Sequence, residues 1–171
     1  LAILLGPLMV PVSSSGKVTH IEAAGPNGTF FKWQGIDIHY KLTPASASCL
    51  LPGNLVVLIH GFGASTFSWL PVEKKFSPCD DVISYDRPAF GLTERTLSWT
   101  GLNPYSMKAQ QSILGELISK FANGRPATLV GHSAGGQVAA QFALDNPTLV
   151  RNLVLEAPAI LNGTPGADTA W

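Results

Sequence analysis

The chain has 171 residues, which suits one domain, and its 46% of apolar residues against 13% of charged ones can form a hydrophobic core. Eleven Lys and Arg residues balance eleven Asp and Glu residues, so no net charge is available to attract nucleic acid or an acidic membrane. These values favour a small or weakly polar molecule as the partner.

The N-terminal stretch from Leu1 to Val12 is nearly all apolar, but it is shorter than the roughly 20 residues that span a bilayer. Two interpretations fit it equally: the end of a cut transmembrane or targeting segment, or an apolar arm that lies on the domain. Residues 13–16 follow as a short flexible link. We assign residues 1–27 to an N-terminal arm and linker, and expect membrane association only through this segment.

The first ordered pattern is a hairpin. Residues 30–33 lead through Gly35 into residues 36–42, where apolar side chains alternate with polar ones such as Asp37 and His39. A period of two predicts a strand with one buried face.

Alternating strands and helices are predicted after the hairpin. Four short apolar runs are typical of strands covered on both faces, namely residues 55–59, 82–85, 127–130 and 153–155. Helices are predicted over residues 66–75, from Asn103 to Gly124, and over residues 133–144. This order predicts an α/β domain in which a mostly parallel sheet carries helices on both faces and the hairpin adds antiparallel strands at one edge. Ligands bind such sheets beyond the carboxyl ends of the strands.

The two cysteines, Cys49 and Cys79, lie 30 residues apart, without the spacing of a metal site or of a disulfide framework. We interpret them as two unpaired thiols in a reducing compartment, with a single disulfide as the alternative.

Residues 131–136, Gly-His-Ser-Ala-Gly-Gly, contain the pattern G-x-S-x-G between a predicted strand and a predicted helix. A sharp turn there needs small residues on either side of the serine, and Gly131 and Gly135 supply them. Ser133 is therefore the candidate nucleophile, and the backbone N–H of Ala134 can donate to a developing oxyanion. The alternative is a glycine-rich turn with a capping serine.

Two further loops follow predicted strands. In residues 60–64, the N–H of Phe62 is the candidate for the second oxyanion donor, because flanking glycines let the backbone approach a ligand. The alternative is an ordinary tight turn, and His60 is predicted to be a structural hydrogen-bonding residue rather than a general base. In the next loop, Asp86 and Arg87 could pair, and we expect Asp86 to order that loop rather than to act in catalysis.

Residues 60–63, 86–91 and 131–136 together resemble the three signature loops of the α/β-hydrolase superfamily, in its order and at about its spacing. The resemblance covers about residues 28–160 and is closest to the single-domain esterase, lipase and carbon–carbon-bond hydrolase branch, which includes poorly characterised plant members. It implies acyl transfer from an ester or related carbonyl compound to Ser133, without a metal or organic cofactor. A serine nucleophile argues against the epoxide-hydrolase and haloalkane-dehalogenase members, which use aspartate.

The resemblance leaves other functions open. A non-catalytic small-molecule-binding or scaffold module has the same fold, as does a cofactor-free lyase. A location inside the cell or in an organelle is predicted, a plastid if the protein comes from a plant.

The family's catalytic triad runs serine, acid, histidine along the chain. No histidine follows Ser133, since the four in the sequence are His20, His39, His60 and His132. Glu156, at the tip of the last predicted strand, is a candidate for the acid, although more members place that residue one strand later. We therefore expect residues 28–171 to be the N-terminal portion of an α/β-hydrolase domain, truncated before its lid or cap and last strands and nearly inactive alone.

Overall fold

A computed structural model describes residues 18–50, 53–76 and 78–160, in which six strands form one mixed sheet. The strands are β1 Thr29–Trp33, β2 Ile36–Thr43, β3 Leu55–Ile59, β4 Asp81–Tyr85, β5 Ala127–His132 and β6 Val150–Glu156. The helices are α1 His20–Ala24, α2 Leu70–Glu73, α3 Met107–Phe121 and α4 Ala134–Asp145, with 3₁₀ turns at Thr66–Trp69 and Pro147–Leu149.

The strand order β1-β2-β4-β3-β5-β6 places the hairpin at one edge of the sheet. Strands β4, β3, β5 and β6 are parallel to one another, whereas β2 is antiparallel to both β1 and β4. The predicted fold class is therefore confirmed. The arrangement brings the carboxyl ends of β3, β4 and β5 to the same edge, which is where the candidate site residues lie.

Apolar side chains cover both faces of the central strands β3, β4 and β5, as predicted. The same prediction for residues 153–155 is wrong, since Leu153 and Val154 are 39% and 49% exposed, because β6 is the edge strand of the sheet that the described residues form. On one face, α3 and α4 pack their buried residues, such as Leu114 and Phe142, against Val57 and Leu129. On the other face, Trp69 packs against Leu58, in a smaller cluster. Within the described part of the chain, no helix has the length and apolar character needed to cross a membrane.

Strand β2 departs from its prediction because both faces of its first half, residues 36–39, are covered. The hairpin turns at Gln34 and Gly35, which both have positive φ angles, as a tight two-residue turn requires. Asp37 and His39, expected on the solvent side, are 9% and 3% exposed. The loop after β4 lies over them, and the N–H of His39 donates to Thr93 Oγ1 at 3.0 Å. The period of two therefore predicted the strand correctly, but it did not predict that a loop covers the second face.

Helix α3 begins later than predicted, at Met107 instead of near Asn103. The side chain of Asn103 accepts the N–H of Tyr105 at 3.0 Å and its carbonyl accepts the N–H of Ser106, so Asn103 forms a turn. Ser106 is the N-cap, with its hydroxyl accepting the N–H of Ala109 at 3.2 Å. A side chain that bonds its own backbone competes with helix formation, and this accounts for the difference.

The interpretation of Cys49 and Cys79 as unpaired thiols is wrong in this structure, since the two residues form a disulfide. Their Cα atoms lie 5.5 Å apart, and the bridge joins the segment after β2 to the segment before β4. These strands are neighbours in the sheet, so their register brings two distant cysteines together. The apolar stretch at residues 1–12 and the link at 13–16 lie outside the described residues, and α1 falls within the segment predicted as a linker.

Replacing both cysteines, with Cys49→Ser and Cys79→Ser, is expected to lower the free energy of unfolding by about 3 kcal/mol, because the bridge closes a loop of 30 residues. Urea denaturation of the oxidised protein and of the double variant measures the difference. Adding reductant should destabilise the wild type by a similar amount and leave the double variant unchanged. Two titratable thiols in the unreduced, denatured wild type would contradict the pairing.

Candidate active site

Ser133 occupies the sharp turn between β5 and α4, at the strand-to-helix position that the sequence predicts. Its φ and ψ angles are 52° and −122°, outside the regions that side-chain-bearing residues ordinarily adopt. A strained backbone at such a position persists only where surrounding contacts hold it in place. The geometry therefore has the features of a nucleophile elbow.

The glycines around Ser133 are required by close backbone packing. A Cβ atom added to Gly131 would lie 2.6 Å from the carbonyl oxygen of Gly135. One added to Gly135 would lie 2.6 Å from the carbonyl oxygen of His60 and would also overlap that of Ile59. One added to Gly136 would lie 2.7 Å from Pro158 Cβ. The turn closes against both the neighbouring strand β3 and the loop after β6.

Hydrogen bonds from the backbone fix the elbow to the end of β6. The N–H of Ser133 donates to the carbonyl oxygen of Glu156 at 3.0 Å, and the N–H of Ala159 donates to the Ser133 carbonyl at 2.9 Å. Glu156 thus holds the elbow through its backbone carbonyl. Its side chain is exposed, and its role as the acid stays a prediction.

The loop after β3 lies directly against the elbow. Ile59 pairs with Gly131 in the sheet register, and a Cβ added to Gly61 would lie 3.0 Å from Ser133 Cβ. In the described ranges, the backbone N–H groups of Phe62 and Ala134 form no hydrogen bond to a backbone carbonyl in a turn, loop or helix cap. Both groups are accordingly available to a ligand, and their assignment as oxyanion donors stays a prediction. The Phe62 side chain is 71% exposed, with its ring 5.5 Å from that of Phe90.

His60 is a structural residue under this loop, as predicted. The N–H of Arg87 donates to His60 Nε2 at 3.0 Å, so Nδ1 carries the proton and donates to the carbonyl oxygen of Gly61 at 2.7 Å. Burial lowers the pKa of His60 to about 4, and the charge of Arg87 acts in the same direction. The imidazole is therefore neutral at physiological pH, with both nitrogens already engaged.

Asp86 pairs with His39 rather than with Arg87, which corrects the predicted pair. Asp86 Oδ2 lies 2.8 Å from His39 Nδ1, and both side chains are buried. Asp86 also accepts the N–H of Thr66 at 2.6 Å and the N–H of Leu92 at 2.8 Å. Its carboxylate thus connects three segments, which confirms that Asp86 orders the loop. Sequence reasoning did not identify His39 as the partner of Asp86. The only signal was a polar residue in an alternating strand, which was interpreted as facing solvent.

No histidine hydrogen-bonds the Ser133 hydroxyl in the part of the chain that the structure describes. That hydroxyl forms no side-chain hydrogen bond there, and two of the four histidines, His39 and His60, are buried with other partners. His20 bonds Asp37 at 3.1 Å. His132 is exposed beside Gly61.

One group of side chains has the composition of a metal site. Ligand atoms of His20, Asp37 and Glu94 lie within 4.8 Å of one another. The ammonium group of Lys32, however, lies 2.8 Å from Asp37 Oδ1 and supplies the cation that this carboxylate needs. These residues form a polar cluster that joins α1 and the loop after β4 to the hairpin, away from Ser133 in the sheet order.

Comparisons with known proteins agree on the family. A family model described as alpha/beta hydrolase fold matches residues 54–170. The chain is 35% identical to the uncharacterized hydrolase YugF of Bacillus subtilis over 136 residues, which are 79% of this chain and 45% of YugF. It is 32% identical to the monoacylglycerol lipase abhd6-B of Xenopus laevis over 111 residues, 63% of this chain and 32% of that protein.

A solved structure gives the same result for the fold. A membrane phospholipase A, described as a novel bacterial virulence factor, superimposes with a TM-score of 0.65 and 25% identity, covering 85% of this chain and 44% of that one. The chain spans less than half the length of each of these three proteins.

Proposed function

The chain belongs to the α/β-hydrolase fold family, and on that basis we propose that it is the nucleophile-bearing part of a serine hydrolase that acts on an ester or related carbonyl compound. Ser133 attacks the carbonyl carbon, and the N–H groups of Phe62 and Ala134 stabilise the oxyanion. The observation that carries the proposal is the strained backbone of Ser133, held between β5 and α4 by glycine packing. The names of the lipase and phospholipase relatives support an ester as the substrate.

The proposal requires a general base, and no histidine hydrogen-bonds Ser133 among the described residues. Since all four histidines precede Ser133 and the family's triad places its histidine after the nucleophile, we propose that the base lies outside these 171 residues. Glu156 remains a candidate for the acid that orients it. Without its base, a serine hydroxyl loses several orders of magnitude in rate, so the chain alone is expected to be nearly inactive.

The missing base also favours a second candidate, a non-catalytic module that binds a small molecule on the same fold. Such a module has no need of a free oxyanion loop or of a strained serine, and both are present. The two candidates differ in whether the natural protein has a general base outside this chain, because only the hydrolase needs one.

Fluorophosphonate labelling tests the proposal. The natural protein that contains this chain is expected to label at Ser133, and its Ser133→Ala variant is expected not to label. The 171-residue chain should react at least about 1,000-fold more slowly, as for an enzyme without its triad base. Mass spectrometry of the labelled peptide identifies the site.

Absence of labelling in the folded natural protein would favour the binding module. Rapid labelling of the 171-residue chain would show that a base is already present among its own residues. Circular dichroism of each sample confirms that the protein under test is folded.

A further inference from the structure

Arg87 is a buried cation without a carboxylate partner among the described residues. Arg87 is only 4% exposed, and its Nε atom has no hydrogen-bond partner in the described ranges. None of the three ion pairs in the described ranges includes it. The guanidinium carbon lies 5.3 Å from the centre of the Phe90 ring, a contact that offsets only part of the charge. A buried charge is unfavourable unless an opposite charge and hydrogen-bond partners lie nearby.

A small cavity lies beside this side chain. Arg87 lines it together with Gln110 and with Ala134, the first residue of α4. Its volume of about 20 Å³ holds one group of the size of a water molecule. Gln110 is 7% exposed, and its Oε1 atom accepts no hydrogen bond from the residues that the structure describes. Two buried polar side chains, each with an atom that lacks a hydrogen-bond partner among the described residues, therefore line the same cavity.

The electrostatics of this space favour a negative group. The N-terminus of the 12-residue helix α4 carries partial positive charge, which adds to that of the guanidinium. Gln110 can donate to an anion through its amide group, because a half-turn of the amide exchanges its oxygen for its nitrogen. The narrow volume suits one oxygen of a planar carboxylate better than a tetrahedral phosphate. A water molecule would also fit, but it would leave the charge of Arg87 unbalanced.

We propose that Arg87 and Gln110 form a carboxylate-binding site at the N-terminus of α4, beside the nucleophile elbow. The carboxylate comes from a small molecule or from an acidic side chain that the natural protein carries beyond these 171 residues. Binding does not require any activity of Ser133, so the site and the proposed hydrolase function can each fail without the other.

The test follows the Nε–H resonance of Arg87 by NMR during titration with sodium acetate, with chloride holding the ionic strength constant. A saturable shift is expected for Arg87 and none for Arg95, which is exposed. Acetate should also raise the melting temperature of the wild type and of Ser133→Ala, but not of Arg87→Met. Gln110→Leu should weaken acetate binding about 10-fold, as the loss of one hydrogen bond to a charged group does.

Several outcomes overturn the assignment. The site is excluded by the absence of a saturable shift up to about 100 mM acetate, or by an equal shift at Arg95. Tighter binding of inorganic phosphate than of acetate would exclude a carboxylate site. Arg87→Met is expected to fold with at least wild-type stability, because it removes an unbalanced charge. A less stable Arg87→Met whose melting temperature still responds to acetate would show a purely structural arginine.

The same titration distinguishes the two sources of the carboxylate. If the natural protein that contains the chain binds acetate as the 171-residue chain does, the site serves a small molecule. If only the 171-residue chain binds acetate, a side chain of the longer protein fills the site.

Discussion

Gly135→Ala is expected to destabilise the protein by more than about 3 kcal/mol, beyond the usual range of about 1–3 kcal/mol for an overpacked core. The added methyl group would overlap the carbonyl oxygen of Ile59 and lie 2.6 Å from that of His60. Both are backbone atoms at the end of β3, so neither can turn away as a side chain does. The start of α4 would have to move from the sheet and would carry Ser133 with it.

Gly115→Ala is the matched control for this substitution. Gly115 also lies in a helix, α3, but the nearest atom to an added Cβ is Phe142 Cε2, at an ordinary contact distance of 3.6 Å. Alanine there should stabilise the protein by about 0.5–1 kcal/mol, because glycine is unfavourable inside a helix. Urea denaturation measures both variants. Equal stability of Gly135→Ala and the wild type would mean that the elbow is not held by this packing.

The elbow could be predicted from the sequence because its determinants are local. Gly131, Ser133 and Gly135 lie within five residues, and the strand and helix that flank them have clear apolar patterns. The contacts that require the second glycine come from β3, whose apolar run was equally clear. The order of alternating strands and helices was also sufficient to predict the sheet and the two layers of helices.

The partners of Asp86 and Cys49 could not be predicted in this way. Asp86 contacts His39, which is 47 residues away along the chain, instead of its neighbour Arg87. The pairing of Cys49 with Cys79 likewise follows from the adjacency of β2 and β4. Such contacts depend on strand order, which periodicity does not specify. Neighbours along an extended segment also point to opposite sides, and this separates Arg87 from Asp86.

Asp86→Asn is expected to lower the free energy of unfolding by about 3–5 kcal/mol, the usual cost of removing one member of a buried ion pair or charged hydrogen-bond network. Asparagine has the same shape, but it replaces one acceptor oxygen with a donor. Either the N–H of Thr66 or the groups that bond the other oxygen, His39 Nδ1 and the N–H of Leu92, would then lose a partner. Asp145→Asn is the control, since Asp145 is exposed at the end of α4 and its carboxylate accepts a side-chain hydrogen bond only from Gln141 among the described residues.

The pH dependence of stability separates the charge of Asp86 from its shape. Burial raises the pKa of Asp86, but hydrogen bonds from His39 and from the N–H groups of Leu92 and Thr66 outweigh it and hold the pKa below its ordinary value. A depressed pKa in the folded state stabilises the protein above the unfolded value of about 3.9, and this contribution is lost as the pH falls below it. The wild type should therefore lose stability as the pH falls below about 4, whereas Asp86→Asn should lose less over the same interval. Parallel curves for the two proteins would show that the carboxylate charge does not stabilise this loop. The contacts among β2, the loop after β3 and the loop after β4 would then depend on packing instead.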